Sequence, residues 1–154
     1  MQDERLREST RIGFLMALLF LVVQFLLGMA VNLFVKIPTN HPGANPPEYF
    51  GGVVQSVTWA LLHGPLLLTL HAGFGLIIVF AAAGLLARAI RSRSRAMIVV
   101  ASLGAFGVLA AGFNGGSFLN YNQDFSSMLM ASAFALAVTS YAAGLFLIAA
   151  PRTP

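Results

Sequence analysis

GGVVQSVTWALLHGPLLLTLHAGFGLIIVFAAAGLLARA, residues 51–89, is an apolar run nearly twice as long as the roughly 20 residues that one helical membrane span needs. Gly64 and Pro65 interrupt it, because a proline inside a helix removes a backbone donor and clashes with the preceding turn. The run therefore divides into two helices. Residues 66–87 are long enough to cross a bilayer, with Pro65 in the first turn where it is tolerated, and Arg88, Arg91, Arg93 and Arg95 follow at once. Residues 52–63 are too short to cross. There Val53, Val57, Ala60 and Leu61 share one stripe, with Gln55, Ser56, Trp59 and His63 largely elsewhere, a pattern that predicts a helix lying in the membrane interface.

Outward from this stretch, three further runs have spanning length: residues 12–35, 97–113 and 127–150, the last stopped by Pro151. The first exceeds the apolar core of a secretory signal, about 7 to 15 residues, so an uncleaved span is expected. Between the first span and the short helix lies KIPTNHPGANPPEYF, residues 36–50, where Pro38, Pro42, Pro46 and Pro47 preclude regular structure. Between the last two spans, NGGSFLNYNQDFSS, residues 114–127, reads as a polar turn. The expected fold is all-α: one membrane domain, an integral membrane four-helix bundle with an extra interfacial helix before the second span. Gly28 with Asn32 and Gly112 with Asn114 end the first helix of each half alike, a faint sign of pseudo-symmetric hairpins.

The composition agrees. The chain is 58% hydrophobic and 9% charged, whereas soluble domains carry about 25% charge, and the connections leave no room for a separate soluble catalytic domain. The net charge of +4 does not point to nucleic acid, because the basic residues sit at helix ends and not on a surface with stacking aromatics. Their partner is the lipid bilayer. All lysines and arginines except Lys36 fall at the N-terminus, the second connection or the C-terminus, so the positive-inside rule puts both termini in the cytoplasm, with the bacterial plasma membrane as the expected location. With no cysteine there is no disulfide, thiolate metal site or thioether-linked haem.

Chemistry inside the spans has few candidates. No carboxylate lies within any of them, which argues against a proton-coupled exporter. His71 lies about 7 Å below the start of the second span at 1.5 Å per residue, and Asn32, Asn114, Met128 or Met130 should reach similar depth. Two readings of His71 stand side by side: a packing hydrogen bond across the bundle, or haem ligation, since imidazole is an axial ligand to haem iron. For the second, Gly75 one turn below leaves clearance for a macrocycle, with Gly73 nearby. A second axial ligand would come from His63, from Met128 or Met130, or from His71 of a second copy. Gln24 near mid-bilayer reads as packing glue. In the connections, His41, Glu48, Ser117, Tyr121 and Asp124 lack a nucleophile motif. Asp124, Ser126 and Ser127 compete to cap the last helix, and Asn114, Asn120 and Asn122 read as turn formers ahead of a cation site.

The segment LHAGFGL, residues 70–76, the interfacial helix before it and the four-span layout resemble one half of a haem A synthase, or a compact cytochrome b561-like bundle. That resemblance implies haem binding, expected as haem b, with electron or quinone chemistry, and the residues weighed above as its site are His71, Gly75, His63, Met130 and Asn114. Two functions from different classes follow: a small haem-binding redox or haem-handling membrane protein, or a non-catalytic accessory or assembly subunit that packs as a homodimer or in a membrane complex.

Overall fold

The computed structural model describes residues 2–149 as five helices: α1 (Gln2–Phe34), α2 (Tyr49–Leu62), α3 (Leu66–Arg91), α4 (Arg95–Tyr121) and α5 (Asp124–Ala149). Among them α1, α3, α4 and α5 are long and apolar enough to cross a membrane, and α2 is the shorter apolar helix that precedes the second span. This is the expected all-α architecture. Residue 150, which the sequence reading includes in the last span, and Pro151 lie outside the described residues.

The four long helices close into a ring, with α1 against α3, α3 against α4, α4 against α5 and α5 against α1. Phe14, Leu21, Ile78, Leu85, Met97, Val108, Ala137 and Tyr141 are buried in the shared core. The α4–α5 seam is the tightest. A Cβ on Gly107 would stand 2.7 Å from the Ala133 carbonyl oxygen, and the Tyr141 ring occupies the space that a side chain at Gly104 would need. Gly144 gives the same room to Phe14, whose ring lies 6.1 Å from that of Tyr141. Large apolar side chains such as Val22, Leu26, Phe80, Phe106 and Phe146 point outward on the ring, as lipid contact requires.

Each connection has a local cause. Pro65 precedes α3, and the Thr69 hydroxyl donates to the Ala60 carbonyl at 2.8 Å across the break, tying the two helices together. At the arginine end, Arg93 takes a left-handed conformation (φ 54°) and Ser94 caps α4. Arg7 reaches from α1 to the other side of the bundle, donating from Nε and Nη2 to the Ile148 carbonyl at 3.1 and 2.6 Å near the end of α5.

The structure corrects two readings. Residues 114–121 are not a turn: α4 continues through them, and the connection to α5 shrinks to Asn122 and Gln123. The polar and small residues there face a neighbour, because a Cβ on Gly116 would stand 2.8 Å from Val53 of α2 and Asn120 is buried. Asn122 ends the helix in the left-handed conformation that asparagine tolerates (φ 49°, ψ 42°). Likewise, the buried face of α2 is Gly52, Ser56 and Ala60, so Ser56 lies inward and the stripe of small residues faces the bundle. The helix packs across α4 and α3 at the loop end.

Candidate functional site

Two polar constellations stand out, one inside the ring and one at its loop end. Inside, His71 on α3 meets Gln24 on α1. Gln24 Nε2 donates to the His71 carbonyl at 3.1 Å and lies 3.4 Å from His71 Nε2. Since the amide nitrogen is a donor, His71 Nε2 accepts and the ring proton sits on Nδ1. Both Nδ1 and Gln24 Oε1 are buried without a hydrogen-bond partner. The ring edge is pressed against α1, where a Cβ on Gly28 would lie 3.0 Å from His71 Cε1.

The other residues weighed for this site lie apart from it. The space beside Gly75 is taken by the Gln24 amide, 3.1 Å from where a Cβ would stand. His63 is exposed at the end of α2, where its backbone N–H donates to the Trp59 carbonyl. Met130 is half-buried beside Gly115, and Met128 is exposed. The Asn114 amide donates to the Ala110 carbonyl of its own helix at 2.8 Å, while Asn32 is exposed. The depth estimate for Asn32 and Asn114 therefore does not bring them to His71. The residue next to the imidazole that sequence reading passed over is Gly28, whose absent side chain admits the ring.

For haem at His71, the fit turns on one side chain. Gln24 covers Nε2 and fills the Gly75 notch at once, so one rotamer change of Gln24 is what would expose both. Among the described residues no group of three or more His, Cys, Asp or Glu side chains is placed to hold a metal ion.

At the loop end, the 36–48 connection folds back over α2 and α4 and is held by buried polar contacts. His41 is buried and stacks on Trp59, with ring centroids 4.3 Å apart and planes 13° from parallel. Its Nδ1 lies 2.8 Å from the Pro42 carbonyl oxygen and its Nε2 3.1 Å from that of Leu119. The Asn45 N–H donates to the Asn120 carbonyl at 2.8 Å, and the Asn122 N–H to that of Phe118 at 2.7 Å. The last carbonyls of a helix have no partner within it. Here the loop supplies a partner to the Asn120 carbonyl through the Asn45 N–H and sets the His41 ring against that of Leu119, so it covers the C-terminal end of α4.

Asn120 centres this cap. Its side chain lies 2.6 Å from Ser56 Oγ, and the amide satisfies its surroundings best with the oxygen accepting from the Val53 N–H at 3.1 Å and the nitrogen donating to the Gly52 carbonyl at 3.1 Å. Gly43 passes over this group with φ 86°, a conformation that favours glycine, and a side chain there would collide with Ser56 and the Gly52 carbonyl. Glu48 caps α2, its carboxylate accepting from the Phe50 and Gly51 N–H groups. Ser117 pairs with Ser126 at 3.2 Å, and Asp124 opens α5. These contacts give the candidates for nucleophilic chemistry in the connections structural roles, Tyr121 included, whose ring stacks on Tyr49.

The fold and its polar groups define a protein with four helices of membrane-spanning length and a fifth, shorter one, closed at one end by a folded loop. Comparisons of the chain with protein families, with curated proteins and with solved structures found no match.

Proposed function

We propose that this chain is a non-catalytic membrane subunit that assembles with a second copy of itself through the outer face of α5. The observation that carries this reading is the placement of Ala131, Ala135, Thr139 and Ala142. They recur every three or four residues and lie exposed on α5, while Ala137, Ser140 and Tyr141 face the core. Small residues offer lipid little contact but allow a second helix backbone to approach closely. Thr139 is satisfied within its helix, its hydroxyl donating to the Ala135 carbonyl at 2.8 Å, so the face presents no unmet polar group. The arginine distribution supports an orientation with both termini in the cytoplasm.

The test uses the absence of cysteine from the chain. Ala135→Cys is expected to form a disulfide-linked dimer on mild oxidation in native membranes, whereas Leu26→Cys on the exposed face of α1 is not. Equal cross-linking at both positions, or none at Ala135→Cys, would remove the support.

A second reading, haem binding at His71, is favoured by one observation: Nδ1 of His71 and Oε1 of Gln24 are each buried without a hydrogen-bond partner. His71 would hold the group through the imidazole nitrogen that Gln24 now covers, and haem, if bound there, would supply an electron-carrying iron. Oxidised and dithionite-reduced absorption spectra of the purified protein decide it. A Soret band lost in His71→Ala supports haem, and a colourless protein unchanged by added haemin rejects it.

A further inference from the structure

We infer that the outward face of α3 at the arginine end binds an anionic phospholipid, with Arg88 and Arg91 holding the phosphate and the open notch at Gly84 receiving the glycerol and the start of an acyl chain. Ile77, Phe80, Gly84, Arg88 and Arg91 follow one another at three- or four-residue spacing, so they share one face of the helix, and all five are exposed. The face runs from apolar to charged. Phe80 is 75% exposed, so its ring lies on the lipid side of the bundle.

The bundle's own packing gives no use for the missing side chain at Gly84. Of the three glycines of α3, Gly75 accommodates the Gln24 amide and Gly73 lies against Leu61, whereas nothing stands within 4 Å of a Cβ on Gly84. An open notch therefore separates Phe80 from the arginines. Its depth suits a lipid. Four residues, about 6 Å along a helix, lie between Gly84 and Arg88, and the interfacial layer on each side of the hydrocarbon core is about 5–7 Å thick. A phosphate at Arg88 thus puts the first chain carbons at Gly84 and the chain against Phe80 and Ile77.

Arg88 is steered by α1. Its Nη1 lies 3.5 Å from the Ser9 carbonyl oxygen and 3.2 Å from where a Cβ on Gly13 would stand, so the guanidinium leans over the α1–α3 seam. That contact uses one of its five donors. Arg91 lies one turn further out on the same face, and among the described residues neither side chain pairs with a carboxylate. Two guanidinium groups one turn apart suit the oxygens of a phosphate diester. A zwitterionic headgroup would bring its own cation towards them, so the complementary lipid is one with a net negative headgroup. α3 packs on α1, α2 and α4 but not on α5, so this face lies across the bundle from the proposed dimer face and does not depend on that reading.

Native mass spectrometry of the purified full chain, supplied with dioleoyl phosphatidylglycerol or dioleoyl phosphatidylcholine in one detergent, counts bound lipid directly. The natural chain is expected to bind the anionic lipid about tenfold more tightly. Arg88→Gln with Arg91→Gln should remove that preference, whereas Arg5→Gln with Arg11→Gln, which takes the same charge from exposed positions on α1, should keep it. Gly84→Leu has room in the fold and should weaken phosphatidylglycerol binding several-fold, while Gly112→Leu, equally open on α4, should not. Inorganic phosphate should not displace the lipid. Equal affinity for the two lipids, a preference lost equally in the Arg5 and Arg11 pair, unchanged binding in Gly84→Leu, or displacement by inorganic phosphate would each overturn the proposal. So would a Gly84→Leu chain whose oligomeric mass changes while its lipid count does not, since that would assign the face to a second copy. If the Arg88 and Arg91 double variant does not fold, the lipid preference of the natural chain and the two leucine variants still decide the matter.

Discussion

The amide of Gln24 on α1 fills the notch that Gly75 leaves on α3, so closely that a Cβ at position 75 would lie 3.1 Å from Gln24 Nε2. This fit positions the donor against the His71 carbonyl. Gln24→Leu keeps the volume and removes both the donor and the unpartnered oxygen. A membrane-buried hydrogen bond contributes about 0.6 kcal/mol on average, so the loss should be about 1 kcal/mol or less. Gly75→Leu must displace the Gln24 amide, the group that a Cβ there would meet, so it should lose the same hydrogen bond and add overpacking, at a cost of about 1–3 kcal/mol. Equilibrium unfolding in mixed micelles, followed by circular dichroism, ranks the two. A larger loss for Gln24→Leu would mean that the polar pair, and not the packing, holds α1 to α3.

The α4–α5 seam offers a comparison within one helix. Gly107→Leu would drive a side chain into the backbone of α5, 2.7 Å from the Ala133 carbonyl oxygen and 2.8 Å from the Ala137 nitrogen, whereas nothing lies within 4 Å of a Cβ on Gly112. Overpacking costs about 1–3 kcal/mol and the backbone cannot yield as a side chain does. The same unfolding assay should therefore show Gly107→Leu strongly destabilised and Gly112→Leu nearly unchanged.

Asn120 joins α2, α4 and the loop, and removing its amide strands several partners at once. A buried polar group left without a partner costs about 1–3 kcal/mol. Asn120→Leu should lower the midpoint of thermal unfolding. It should also raise the labelling rate of Ser56→Cys, which is buried under the loop. Unchanged labelling in Asn120→Leu would show that the cap does not depend on this amide.

Orientation is read by thiol labelling in intact cells. Asn45 is exposed at the loop end and Arg91 at the arginine end. Asn45→Cys should react with an impermeant reagent and Arg91→Cys should not. The reverse pattern would place the arginines outside.

Much of this fold is legible in the residues because lipid imposes one rule, an unbroken apolar stretch, on every span. Residues 66–87 and the break at Pro65 follow from that rule alone. Residues 114–121 mislead for a definite reason. Asparagine and glycine mark turns when they face water, but here Gly116 faces Val53 and Val57 of α2, and Asn120 meets Gly52 and Ser56 of the same helix. His41 is different. Its place against Trp59 and the Leu119 carbonyl depends on the path of a proline-rich loop, and no local pattern encodes that path. For His71, the sequence indicates its depth but not that Gln24 and Gly28 hold it.

The most direct test of the proposed assembly is the native mass of the protein extracted in lipid nanodiscs without cross-linking. The account predicts a dimer for the natural chain and a monomer for Ala135→Phe, which places a bulky ring on the α5 face while leaving the core untouched. A natural chain that is monomeric over a range of protein-to-lipid ratios, or an Ala135→Phe variant that remains dimeric, would contradict it.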